Sequence, residues 1–199
     1  MIRAEVSDCS LAVALGANLP SPAGDPLATL LALRPLLTTT LQQLWAAWGD
    51  GPPALHWSPL LRTAAVGGPP GQPDYLNAVL LVSGGSIPQE RRALEVLARL
   101  QQLERRFGRE RRERWGARSL DLDLLWWGPL RCSSERLVLP HPLWSQRPFV
   151  LAPLAAIDGD LVPPGARMTV GQQLAELERS SGEPPPKPWE GAGGWPEAP

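Results

Sequence analysis

The chain has 199 residues, of which 43% are hydrophobic and 20% charged, and its net charge is −1. That length suits one ordinary domain, and that apolar content buries a core rather than leaving the chain disordered. Near-neutral charge argues against a general nucleic-acid or membrane-surface binder, which needs a basic excess, while 24 prolines and 19 glycines demand long loops or a flexible tail.

Cys9 and Cys132 cannot build a disulfide framework and form no C-x-x-C pair, so a reducing, cytoplasmic setting is expected. No apolar run approaches the ~20 residues of a membrane span. The N-terminus lacks the apolar stretch of a secretory signal.

In chain order, Leu11, Val13 and Leu15 alternate with small residues and predict a strand that ends at Gly16. Asp25-Pro26 reads as an N-cap followed by proline in the first helical turn. The helix predicted from there runs to about Trp48, with Pro35 expected to kink or split it. Residues 54–63 predict a second strand, and Pro59 assigns it to an edge or a bulge. Gly67 to Pro73 reads as an irregular loop. Tyr75 to Val82 is a strand with a near-continuous apolar run, interrupted by Asn77. Pro88 to Phe107 is a helix with Leu94, Leu97, Leu100 and Leu103 on one stripe, stopped by Gly108.

Ser119 to Trp127 reads as another strand and Gly128-Pro129 as a turn. A short strand at 136–139 and helices near 149–157 and 170–179 follow. Residues 1–180 are expected to form the domain. Residues 181–199, with six prolines, four glycines and no periodic apolar face, are expected to form a disordered tail. The order strand, helix, strand, strand, helix, strand predicts an α+β fold. It is the ferredoxin-like β-α-β-β-α-β pattern, an antiparallel sheet flanked by helices, with short strands and C-terminal helices added.

Two clusters carry chemistry. Seven arginines fall between Arg105 and Arg118. They suit either a solvated helix end or phosphate oxygens, which guanidinium forks match well. Downstream, Asp121 and Asp123 alternate with Leu120, Leu122 and Leu124, so the carboxylates share one strand face about 7 Å apart at Cα. Such a pair repels itself unless the face is open to water or a hard dication lies between the carboxylates. Metal beside arginine is the equipment for a polyphosphate. No G-x-x-x-x-G-K-[ST] loop, nucleophile elbow or catalytic triad is present.

His56 reads as ordinary surface. His141, in Leu139-Pro140-His141-Pro142, reads either as a local hydrogen bond holding a turn or as a neighbour of Arg147 in a site. Trp45, Trp48, Trp126 and Trp127 read as packing. Tyr75 and Asn77 share a strand face and present a ring with an amide, as a flat, hydrogen-bonding heterocycle requires.

Arg114-Trp115-Gly116-Ala117-Arg118-Ser119-Leu120-Asp121-Leu122-Asp123 resembles the R-W-G-P-R-T-L-D-L-D signature of the 6-hydroxymethyl-7,8-dihydropterin pyrophosphokinases of folate biosynthesis. Ala14-Leu15-Gly16-Ala17-Asn18-Leu19, Gln72-Pro73-Asp74-Tyr75-Leu76-Asn77-Ala78 and Leu139-Pro140-His141-Pro142 add to the resemblance, which runs from about Leu11 to about Val162. It implies transfer of pyrophosphate from ATP to the pterin hydroxymethyl group, leaving AMP. It implies two Mg²⁺ ions on Asp121 and Asp123, and Arg109 and Arg111 on a loop that closes over ATP. ATP contacts are implied for Gln101, Arg118, His141 and Arg147. Pterin contacts are implied for Thr63, Tyr75, Asn77, Trp115 and Phe149. The expected partners are ATP and the pterin, with no nucleic acid and no membrane, on a monomer.

The sequence departs from the family pattern in places. Ala17 replaces a frequent serine, Ala64-Ala65 replaces a frequent proline pair, and the loop before Arg114 is one residue shorter than in some members, which touches the role of Arg112. Two other readings fit parts of the sequence. One is a non-catalytic pterin- or nucleotide-binding module of the same fold. The other is a single-stranded RNA binder stacking bases on Tyr75 and Trp115, which the paired aspartates and the net charge disfavour.

Overall fold

The computed structural model describes residues 10–109, 116–181, 185–190 and 193–196. Strand β1 (Leu11–Ala17) leads into helix α1 (Pro26–Ala47). Asp25 caps that helix, its carboxylate accepting from the Ala28 amide at 2.8 Å, with Pro26 at the first turn. The helix runs unbroken through Pro35, against the expected split. Proline removes one donor, while packing of Leu30, Leu33, Leu37 and Leu41 in the core offsets that loss and keeps the helix continuous.

Strands β2 (Ala54–Trp57) and β3 (Leu61–Thr63) are two halves of one edge, interrupted at Ser58–Leu60 around Pro59. Both pair with β4 (Tyr75–Ser83). After α2 (Glu90–Arg106) and β5 (Asp121–Trp127), β6 (Cys132–Ser133) and β7 (Val138–Leu139) form a small ribbon. The Leu139-Pro140 peptide is cis. A 3₁₀ turn (Trp144–Gln146), α3 (Pro148–Asp158), α4 (Val170–Ser181) and β8 (Lys187–Pro188) complete the order.

The main sheet is antiparallel, ordered β5-β1-β4-β3-β8, the arrangement expected of a ferredoxin-like α+β fold with additions. Both faces are covered. Leu11, Val13, Leu15, Leu80 and Leu122 meet α1 and α2 on one face. Ala12, Val79, Leu81 and Trp126 meet α3 and α4 on the other. Double burial explains why β4 reads as a continuous apolar run rather than an alternation. Between β1 and β5 the register shifts at Ala12/Val13, leaving Leu125 without a partner on β1. This bulge sends Leu125 and Trp126 into the same cluster.

The segment expected to be a disordered tail is a correction. Lys187 and Pro188 pair with Arg62 and Leu61, the Trp189 amide donates to Leu60 O at 2.9 Å, and Trp195 is 5% exposed. Two tryptophans supply the apolar anchorage that a periodic face would otherwise supply, so a search for periodicity could not find it. His56 is half-buried rather than plain surface, with Nε2 3.2 Å from Ser83 Oγ.

Candidate active site

The strand alternation that buries Leu122 and Leu124 against α1 and α2 turns Asp121 and Asp123 to the opposite face, as the pattern predicts. The register sets Gly16 between Asn77 on β4 and Asp121 on β5. Three strand ends therefore converge where α3 begins. A Cβ on Gly16 would lie 2.9 Å from Asn77 Oδ1 and 3.5 Å from the Tyr75 ring, so glycine is what lets those side chains fold over β1.

A cavity of about 260 Å³ opens there. Thr63, Tyr75, Asn77 and Phe149 line one part, with the loop Ala64–Gly67 as a wall; Arg118, Asp121 and Arg147 line another. Asn77 Nδ2 donates to Thr63 Oγ1 at 2.7 Å and the Tyr75 hydroxyl to Gly116 O at 3.1 Å. Burial raises the Tyr75 phenol above its ordinary value, with smaller opposing effects from nearby charges. The phenol thus stays a neutral hydrogen-bond donor.

The carboxylates do not face each other unscreened. Asp121 Oδ1 lies 2.6 Å from Arg109 Nη1, and Oδ2 accepts from Arg118 Nη1. Burial alone would push the Asp121 carboxyl up, but Arg109 and Arg118 outweigh it and hold the group below the usual carboxylate range. Asp123 Oδ2 accepts from Arg147 Nη1 at 3.0 Å, and His141 Nε2 lies 3.9 Å away. The guanidinium of Arg147 also stands 5.5 Å from the Phe149 ring centre. The local hydrogen bond expected of His141 is present, its Nδ1 accepting from the Leu143 amide at 3.2 Å. Burial lowers its imidazole below the ordinary value; Asp123 opposes that shift and Arg147 adds to it. The neutral ring therefore carries its proton on Nε2, facing Asp123.

Gln101 lines a separate cleft with Glu104, Arg105 and Arg109, outside the main cavity. Arg109 bridges the two, through its contact with Asp121. Arg111 and Trp115 lie outside the described residues. Two contributors escaped the sequence reading. Glu104, 3% exposed, accepts from the Leu122 amide at 2.9 Å and pairs with Arg109. Its signal was a carboxylate four residues after the buried Leu100, on the apolar side of α2. Asn18 donates to Pro73 O at 3.0 Å and accepts from the Arg118 amide at 2.7 Å, joining the loop before Tyr75 to the segment before Asp121.

Among the described residues no group of three or more His, Cys, Asp or Glu is placed to hold a metal ion. Two carboxylates on one face, one with a buried Oδ1 lacking an aligned hydrogen bond, still fit Mg²⁺. That ion is commonly bound by one or two carboxylates with phosphates and waters filling the remaining positions. Chemically, the cavity offers a ring, an amide and a hydroxyl to a flat heterocycle, beside carboxylates and guanidinium groups suited to a polyphosphate with its cation.

A family model described as 7,8-dihydro-6-hydroxymethylpterin-pyrophosphokinase matches residues 12–159. Relatives named 2-amino-4-hydroxy-6-hydroxymethyldihydropteridine pyrophosphokinase agree with it. The Synechocystis protein is 41% identical over 111 residues, 56% of this chain and 54% of its own length. That of Haemophilus influenzae is 36% identical over 156 residues, 78% of this chain and 86% of its own. That of Pseudomonas aeruginosa is 36% identical over 165 residues, 83% and 87%.

Proposed function

The chain belongs to the 7,8-dihydro-6-hydroxymethylpterin-pyrophosphokinase family, and from that premise we propose how its residues share the reaction. The enzyme is an ATP-dependent diphosphotransferase of folate biosynthesis. The hydroxymethyl oxygen of the pterin forms a bond to the β-phosphorus of ATP and gives up its proton to a neighbouring phosphate or aspartate oxygen. The bond from that phosphorus to the oxygen bridging to the α-phosphate breaks, and AMP leaves with that oxygen.

Thr63 and Asn77 hydrogen-bond the pterin edge, with Tyr75, Phe149 and Trp115 contributing ring faces. The supporting observation is the cavity that unites Thr63, Tyr75, Asn77 and Phe149 with Asp121, Arg118 and Arg147. On binding, Arg109 and Arg118 transfer from the Asp121 carboxylate to phosphate oxygens, as charge-assisted forks do readily. Arg147 and His141 hold the phosphates and ribose from the α3 side, Gln101 contacts the nucleotide from the neighbouring cleft, and Arg111 joins Arg109 over the triphosphate. Asp121 and Asp123 would hold the two Mg²⁺ ions, which would supply charge neutralisation and alignment for in-line displacement. The buried strand ends fix the acceptor hydroxyl and exclude bulk water, so positioning carries most of the rate. The protein works as a monomer in the cytoplasm.

The test is AMP production from ATP with each component omitted in turn. AMP should appear only when the reduced pterin and magnesium are both present. Tight pterin binding without AMP release would assign the chain to the non-catalytic reading.

A further inference from the structure

Residues 185–190 and 193–196 lie at the outer edge of the sheet as a strap, beside the strand that leads into the cavity wall. Their anchors are specific. The Trp195 indole Nε1 donates to Ser58 O at 2.8 Å, and its ring meets Trp57 edge-on, centroids 5.5 Å apart. The Trp189 amide donates to Leu60 O at 2.9 Å. Ser58 and Leu60 flank Pro59, where the edge strand breaks, so the strap satisfies backbone acceptors in that break.

From there the contacts lead to the cavity. β3 has three residues; β8 pairs with Leu61 and Arg62 of it, and its last residue is Thr63. The Arg62 guanidinium lies 6.0 Å from the Trp189 ring centre, and its Nε donates to Asp74 Oδ2 at 2.8 Å. Thr63 and Asp74 are the two ends of the loop whose residues 64–67 wall the cavity. The far part of that loop is braced by Gln72, whose Nε2 donates to Gly67 O and Pro69 O at 3.2 Å each, and by Asn18 on Pro73 O, whereas Ala64 and Ala65, next to Thr63, leave the backbone unrestricted and depend on β3 for their placement.

We propose that Trp195, with Trp189, is a positioning residue for the pterin. The strap fixes β3 so that Thr63 and the 64–67 wall stand in place before the substrate arrives. The inference rests on the reading of the Thr63–Asn77 end as the pterin subsite. Ordering a loop in advance removes a cost otherwise met on binding, so the effect falls on pterin affinity and not on the chemical step. Linkage makes the effect reciprocal, and a bound pterin must tighten the strap.

The experiment uses the full chain with Trp195→Ala and Trp195→Phe. Trp195→Ala should raise KM and Kd for the pterin about tenfold, equivalent to ~1.4 kcal/mol, with kcat at saturating pterin and KM for ATP unchanged. Trp195→Phe keeps a ring against Trp57, loses the bond to Ser58 O, and should fall between. In the wild type, amide exchange across 185–190 should slow when the pterin binds. Unchanged pterin affinity in Trp195→Ala, or a lower kcat with both KM values intact, overturns the proposal. If Trp195→Ala does not fold, wild-type pterin affinity in Trp195→Phe together with no slowing of exchange overturns it. Asn77→Ala separates the two levels. Normal pterin affinity in that variant removes the subsite and the proposal with it, whereas lost affinity there beside normal affinity in Trp195→Ala removes the strap alone.

Discussion

At the scale of single residues, Asp121 and Asp123 are alike in sequence but differ in surroundings. The Asp121 side chain is 20% exposed between two guanidinium groups; that of Asp123 is 33% exposed and meets one. Asp121→Asn and Asp123→Asn should both lower magnesium-dependent AMP production by at least a hundredfold, roughly 3 kcal/mol. Their melts should differ. Asp121→Asn leaves Arg109 and Arg118 short of countercharge and should lose about 1–3 kcal/mol, while Asp123→Asn should melt within a degree or two of wild type. Wild-type turnover in either variant would remove the metal assignment. Sequence alone suggested that losing a carboxylate relieves repulsion; alternation placed the pair but could not show arginines already answering it. Glu104 shows the same limit in part, since Leu122 lies across the fold although Arg109 is only five residues further along the chain. Glu104→Gln can still accept from the Leu122 amide but pairs weakly with Arg109. It should lower kcat, with the pterin KM little changed. A fall in pterin affinity alone would count against that role.

At the scale of elements, the strands and helices were legible because each carries its own period, cap or breaker. Asp25-Pro26 opens α1, Gly108 follows α2, and Pro59 marks an edge, although it divides the single strand expected over 54–63 into two. The split at Pro35 does not occur, because the four leucines that clamp α1 to the sheet act from outside the helix. Pro35 is exposed, so Pro35→Ala should restore a helical hydrogen bond and add about 1–3 kcal/mol, a melting gain of several degrees. A lower melting temperature would show that the proline ring itself packs. Gly16 ties β1 to the site. Gly16→Ala places a methyl against Asn77 Oδ1 and should weaken pterin binding several-fold, leaving ATP affinity intact. Equal losses for both ligands would mean that the strand itself had shifted.

At the scale of the whole molecule, the fold followed from element order, and the site from motifs that the register brings to one end of the sheet. The docked tail did not follow, because two tryptophans among prolines and glycines have no period to read. Its placement changes an expectation about truncation. A chain ending at Ser181 should melt several degrees lower, since about 2 kcal/mol corresponds to 4–8 °C at this size.

The two outer strands of the sheet have a consequence for behaviour at high concentration. On β5 the Leu122 amide is taken by Glu104 and the Leu125 carbonyl by the His141 amide at 2.7 Å. On β3 the matching groups are taken by β8 and Trp189. At these positions the margins along β5 and β3 offer a second molecule no row of free donors and acceptors, the template from which strand-to-strand aggregation grows, while β2, the other half of the β3 edge, pairs only with β4 among the described strands. Shortening the chain to Ser181 opens one margin and leaves the other closed. The resulting particles should therefore be head-to-head pairs joined along β3 rather than open-ended fibrils, a difference that light scattering of concentrated samples would register.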